Sequence, residues 1–235
     1  MGTDMQMYYH SINVTIMSIL TAMNMGMNEK DIFKTATGSL LYDIGIIRVD
    51  DSELSKTKNT SPKSKLAWNE PNMGVDELPK EHVEIGYNMV KSDNSLSPIA
   101  KHIIYSHHEY LDGSGFPRGI KQENIPIYTR IVTMANEFDT LMMERSFTGI
   151  QIHEILEVLM AKITSGKLCK DVYRPFTEAV SIYPAGTIVK LSDGAMCIVV
   201  KENVVNPTRP TVRNIETDEE IDLVTKLSYF IDKVN

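Results

Sequence analysis

Apolar residues recur at helical spacing over residues 5–25 (MQMYYHSINVTIMSILTAMNM). Ile12, Ile16, Ile19 and Met23 fall on one face, which predicts an amphipathic helix. Residues 29–45 repeat the pattern, opening at Asn28 as an N-cap and closing at Gly45. Residues 51–79 break the rhythm. DDSELSKTKNTSPKSK and NEPNMGVDELP are polar and proline-bearing, and predict a long loop with room for one short helix. Helix resumes near Pro79, a residue suited to the first helical position, and runs to about Val90. A further helix covers 97–109, until the glycines and the proline of DGSGFPRG forbid continuation. Helices are predicted again over 126–144, 148–164 and 170–181. Then the period changes. GTIVKLSDGAMCIVVKEN places β-branched residues on both sides of Asp193-Gly194, a hairpin signal, and PTVRNI reads as a third strand. The predicted fold is mainly α: a helical domain over 1–182, then a small antiparallel β unit over 183–235.

Composition agrees with this picture and narrows the function. Of 235 residues, 42% are hydrophobic and 23% charged, which suits one packed helical domain with a small appendage. A net charge of −7 removes the basic footprint that duplex DNA or long RNA requires. A small phosphate ligand is not excluded, since it needs only a local cation or metal ion. Cys169 and Cys197 are far apart and neither lies in a CxxC pair, so a disulfide framework and a thiolate zinc site are both excluded. Apolar runs are shorter than a membrane span, and the N-terminus lacks a basic segment followed by an apolar one. The expected location is the cytoplasm.

Six histidines are present: His10, His82, His102, His107, His108 and His153. Neutral imidazole is the commonest metal ligand. The pair His107-His108 stands at a helix end, directly before Glu109 and a glycine-rich turn. Neighbouring helical side chains point about 100° apart, so two such rings can serve two sides of one site, or one metal and one substrate. A chance pair on a wet helix end is the alternative. Asp43, in LLYDIGI, interrupts an apolar face formed by Leu40, Leu41, Ile44, Ile46 and Ile47. A buried carboxylate there needs a cation or a metal, whereas one that reaches solvent needs neither. Asn136 and Asp139 raise the same question in IVTMANEFDTLMM, three apart on one helix face. In DGSGFP, Gly113 and Gly115 flank Ser114 ahead of Phe116 and Pro117, and let the backbone approach a ligand closely.

Taken together, these segments resemble a known family. HHEYLDGSGFPRG is similar to the HHExxDGxGYPxG signature of HD-GYP proteins, a branch of the HD metal-dependent phosphohydrolases. LLYDIG resembles their LLHDIGK, EHVEIG their HxxxG, and IVTMANEFDTLMMERSF their ivaDxfDALxxdRpY. IYPAGTIVKLSDGAMCIVVKEN and RPTVRNI resemble the common C-terminal β extension. The resemblance spans about residues 10–215. It implies an HD-type helical bundle that holds divalent transition metal, iron first with manganese as the alternative, and hydrolyses cyclic di-GMP or a related cyclic dinucleotide through metal-activated water. It assigns His10, Asp43, His82, His107 and His108 as metal ligands, with Asp43 as the bridging, catalytic one. It assigns Arg145 to a substrate phosphate, beside a loop of Asp112, Gly113, Gly115 and Phe116. A homodimer, or a GGDEF-type or other signalling protein, is the implied partner; long nucleic acid and membrane are not.

The departures from the family pattern cluster. Tyr42 replaces the His of the HD pair, Ile46 the following Lys, Asn136 the late aspartate ligand, and Phe116 the tyrosine of GYP. Thr148 stands where a basic residue is expected, and the stretch from Asp43 to His82 is longer than usual. One metal position normally uses His10, the HD histidine, Asp43 and the late aspartate, and two of those are changed. The other uses Asp43, His82, His107 and His108, and keeps all four. The expectation is one firmly held metal and one weak or empty position. The function expected is a phosphodiesterase, the alternative a catalytically impaired relative that senses a cyclic dinucleotide or binds a partner protein.

Overall fold

The computed structural model describes residues 3–49, 80–203 and 206–234, so the loop expected over 51–79 and the Pro79 helix start lie outside the described residues. Among the described residues, seven α-helices precede a five-stranded sheet. The helices are α1 (Thr3–Asn24), α2 (Glu29–Leu41), α3 (Glu81–Val90), α4 (Pro98–Ser106), α5 (Ile127–Thr148), α6 (Ile152–Thr164) and α7 (Lys170–Ala179). Short 3₁₀ turns cover Ile44–Arg48 and Gln122–Asn124. The fold is therefore mainly helical with a small C-terminal antiparallel sheet, as the residue pattern predicts. Among the described residues no helix is long and apolar enough to cross a membrane.

The chain divides into two compact units, residues 1–150 with 155–176, and residues 151–154 with 177–235. In the first, α1 packs on α2 and α5, and α2 on α4. Val14, Val83, Ala100, Ile103, Ile104, Ile131, Val132 and Ala135 are fully buried in its core. Asn28 caps α2, its side chain accepting the amide of Asp31 at 3.1 Å. Ser97 caps α4 by accepting the amide of Ala100 at 3.1 Å.

Three helices differ from their predicted form. In α1 the buried face is His10, Val14, Met17, Ser18, Thr21 and Ala22, while Ile16 and Met23 are exposed. The inner face mixes His10 with Ser18, Thr21 and Ala22 around Val14 and Met17, and the larger apolar stripe is left outside. α2 stops at Leu41, not Gly45, so Asp43 lies in the turn before a 3₁₀ segment. α4 stops at Ser106, with His107 as its C-cap, so the histidine pair leaves the helix instead of lying on it. Both truncations free side chains from the helical repeat.

In the second unit β1 (Ile188–Leu191), β2 (Met196–Lys201), β3 (Thr211–Asn214), β4 (Glu220–Asp222) and β5 (Ile231–Val234) form a sheet in the order β4-β3-β2-β1-β5. Val189 pairs with Cys197 and Val199 with Val212, and Val189, Leu191, Cys197, Val199 and Val212 line one buried face. Strands β4 and β5 were not predicted. They are the two edges, short and charge-bearing, and so lack the apolar alternation that marks inner strands.

Candidate metal centre

Three segments converge on one point. The turn after α2 supplies Asp43, the first turn of α3 supplies His82, and the turn after α4 supplies His107 and His108. One donor atom from each of these four buried residues lies within 4.8 Å of all the others. Asp43 Oδ1 is 3.3 Å from His82 Nε2 and 3.3 Å from His107 Nε2, and the two nitrogens are 3.4 Å apart.

Glycine makes the convergence possible. At Gly45 a β-carbon would overlap the carbonyl oxygen of His82 and the amide of Gly86, so the Asp43 turn and α3 touch backbone to backbone. At Gly115 a β-carbon would overlap the His108 carbonyl and the Tyr110 amide, so the glycine-rich loop folds back on the histidine pair.

The electrostatics suit a cation. Asp43 Oδ1 is buried with no well-directed hydrogen bond, although the two ring nitrogens stand beside it. Burial would raise the Asp43 carboxyl, but the His107 and His82 rings reverse this and hold it well below the ordinary carboxylate range. Burial pushes His107 below its usual value and His108 well below, so both rings offer lone pairs. The Nδ1 of His107 meets the Ile104 carbonyl at 3.2 Å, which fixes that nitrogen as the N–H and turns Nε2 toward Asp43. The His107 carbonyl accepts the Thr133 hydroxyl at 2.9 Å. Ligands about 2.0–2.2 Å from one ion lie roughly 3.0–3.4 Å apart when adjacent. Separations of 3.3–3.4 Å between three donors therefore fit one small divalent metal.

Beside this cluster stands a second group of different character. His10 Nδ1 lies 2.6 Å from Asp139 Oδ2, and its Nε2 lies 3.0 Å from Asn136 Oδ1. The Tyr42 hydroxyl donates to that same Asn136 oxygen at 3.1 Å. Burial alone would lower His10, but the hydrogen bond and charge of Asp139 outweigh it and hold the ring above its usual value. Both ring nitrogens thus face protein oxygens, and Asn136 Oδ1 takes two donors. Tyr42, fully buried, packs edge-on against His107 with ring centroids 4.8 Å apart.

The glycine-rich loop is anchored by a residue that the sequence reading passed over. Glu109, 2% exposed, accepts the backbone amides of Arg118 at 2.8 Å and Ile120 at 3.1 Å. Its place directly after the histidine pair is the signal that could have marked it. Tyr110 donates to Glu137, which also pairs with Lys162, tying the loop to α5 and α6. Phe116 stacks on His108 with ring centroids 4.5 Å apart, and Lys80 lies over the Phe116 ring at 5.1 Å. Asp112 accepts the amide and hydroxyl of Ser114 within the loop, at 2.9 and 2.7 Å, and Gly113 turns the same loop with φ of 83°. Arg145 lies nine residues beyond Asn136 on α5, about 13.5 Å along the helix axis.

The HD domain profile matches residues 10–162, which contain every one of these groups. The chain belongs to the HD domain family. Within it, the loop over 107–119 places it among the HD-GYP members. It is 28% identical over 213 residues to a cyclic di-GMP phosphodiesterase of Pseudomonas aeruginosa, covering 90% of this chain and 48% of that protein. It is 32% identical over 185 residues to a cyclic di-GMP phosphodiesterase of Thermotoga maritima, covering 77% and 47%. The chain thus spans about half the length of the curated relatives it matches. Among solved structures, a HDG"Y"P protein from Bdellovibrio bacteriovorus aligns with a TM-score of 0.56 at 24% identity, over 72% of this chain and 50% of that one. At that identity the likeness bears on the fold alone.

Proposed function

We propose that this HD-GYP member is a metal-dependent phosphodiesterase acting on cyclic di-GMP or a related cyclic dinucleotide. The observation that carries the reading is the buried triangle of Asp43 Oδ1, His82 Nε2 and His107 Nε2, with His108 alongside. Three imidazoles and one carboxylate suit a first-row divalent metal, iron first and manganese second. Bound there, such an ion would polarise a phosphoryl oxygen and make water acidic enough to serve as nucleophile near neutral pH. Asp43, His82, His107 and His108 would hold it. The His107–Ile104 contact sets the tautomer, and Glu109 holds the loop that closes over the pair. Phe116, flat against His108, offers a ring edge to a substrate base or ribose. Arg145, about 13.5 Å beyond Asn136 along the axis of α5, would meet a substrate phosphate.

We infer one metal per chain, because His10, Tyr42 and Asn136 satisfy one another through hydrogen bonds where a second ion would need open donors. That group favours a second reading, in which the chain binds the dinucleotide and does not turn it over. The test is incubation of iron- or manganese-loaded protein with cyclic di-GMP in the absence of oxygen, followed by chromatography of the products. Accumulation of the linear dinucleotide supports the phosphodiesterase. Tight binding with no product would replace it with the sensor, and neither binding nor product would sink both.

A further inference from the structure

A cation stands at the edge of the four-donor cluster. Phe116 stacks on His108 with 17° between the ring planes, and meets His82 at 83° with ring centroids 6.5 Å apart, so it lies against two of the four metal donors. Over the same ring, 5.1 Å from its centroid, is the ammonium of Lys80. Lys80 is the N-cap residue of α3, two positions before His82, and it is exposed. Among the described residues no carboxylate pairs with it, although Glu81 and Glu84 occupy the first turn of the same helix. An aromatic face attracts an ammonium without neutralising it, whereas a carboxylate partner would cancel the charge. Lys80 is therefore held beside the metal donors with its positive charge intact.

The charge balance gives that cation a role. Asp43 and three neutral imidazoles around a divalent ion leave one net positive charge. A cyclic dinucleotide carries two phosphodiester groups, each a monoanion. The loaded centre balances one of them. His10, beside the cluster, is already paired with Asp139 at 2.6 Å and has no charge to spare for the other. We propose that Lys80 supplies it: its ammonium binds the phosphodiester that is not cleaved, and Phe116 holds the side chain in position for that contact. This rests on the reading of the centre as a cyclic-dinucleotide site. An ammonium on a phosphate oxygen is a charge-assisted hydrogen bond, made equally in the ground state and the transition state, so its loss acts on binding and not on turnover.

The test compares Lys80→Met with the unaltered chain, both loaded with manganese, by calorimetry of cyclic di-GMP. Lys80→Met should weaken binding by about 10- to 100-fold, and raise KM by the same factor with kcat kept within about threefold. Lys80→Arg should keep most of the affinity, since the guanidinium is also a phosphate donor. Lys91→Met removes the same charge from the far end of α3 and should change nothing. GMP has one phosphate, which the metal can hold, so it should bind Lys80→Met and the unaltered chain alike. Bound cyclic di-GMP should also slow the acetylation of Lys80 by acetic anhydride relative to Lys91, as read by mass spectrometry. If the unaltered chain neither binds nor cleaves cyclic di-GMP, the reading of the centre falls and this proposal with it. If it does either, the proposal alone is overturned by a Lys80→Met affinity within about twofold of the unaltered chain, by an equal loss of affinity for GMP, or by acetylation of Lys80 that ignores the ligand.

Discussion

The hydroxyl of Tyr42 donates to Asn136 Oδ1 at 3.1 Å, and the same oxygen faces His10 Nε2 at 3.0 Å. An amide oxygen between two donors makes a closed junction. A carboxylate and an imidazole in those two places would leave lone pairs open toward Asp43. The two substitutions therefore act as a pair: each is a weak ligand, and each satisfies the other.

That pairing predicts the metal count. Anaerobically reconstituted protein should hold one ion per chain, and the double variant Tyr42→His with Asn136→Asp should hold two. Either single variant should stay at one, because each restores only one of the two changed ligands of the second position. The lost Tyr42 hydrogen bond should cost about 1 kcal/mol of stability in the metal-free state. Elemental analysis decides the matter, and two ions in the unaltered chain would refute it.

Asp43 is the only carboxylate in the four-donor cluster. Asp43→Asn keeps the shape and removes the negative charge that balances a divalent ion. Removing groups that merely orient metal ligands weakens binding by about 10- to 100-fold, so loss of a ligand charge should cost at least about 100-fold. Competition with a chromophoric chelator measures it. An affinity within threefold of the unaltered protein would show that the ion sits elsewhere.

Much of this was legible in the sequence, for stated reasons. Helix periodicity and the Asp193-Gly194 turn are local signals, so the helical unit and the β1–β2 hairpin follow from them. The ends of α2 and α4 do not. Apolar spacing continues through Leu41-Tyr42-Asp43-Ile44, yet the chain leaves the helix there because Gly45 must meet the backbone of α3, a contact made across the fold. The outward stripe of α1 was misread for a related reason: periodicity marks two apolar faces, and only packing decides which one the core takes. The gathering of Asp43, His82, His107 and His108 could be expected from the family resemblance. The bond from Tyr42 to Asn136 could not, since it joins residues 94 apart whose types alone suggest nothing.

Gly45 offers a sharp contrast with Gly26. Gly26 has φ of 71° and open space around it, so Gly26→Ala should cost only the conformational penalty of about 1 kcal/mol. In Gly45→Ala the new methyl would meet two backbone groups that no side-chain rotation can move. The Asp43 turn and α3 must separate, at a cost of about 3 kcal/mol or more. Because α3 carries His82, metal affinity should fall with stability, whereas Gly26→Ala should leave it untouched. Urea unfolding and chelator competition on both variants test the pair, and equal effects on affinity would undo the argument.

Glu109 separates anchoring from chemistry. Its carboxylate accepts two loop amides, from Arg118 and Ile120, and it has no place among the four metal donors. Glu109→Ala removes the acceptor of two part-buried loop N–H groups, at roughly 0.5–1.5 kcal/mol each, so about 1–3 kcal/mol in all. Glu109→Gln keeps one acceptor oxygen and turns an NH₂ group toward the other amide, so about half of that loss should return. If Glu109 acts only by holding the loop, metal stoichiometry at saturation should be unchanged in the Gln variant while hydrogen exchange of the Arg118 and Ile120 amides speeds up. Exchange at unaltered rates would mean that the loop is held by Gly115 packing on His108 and Tyr110 alone, and that the carboxylate is kept for the reaction rather than for the fold.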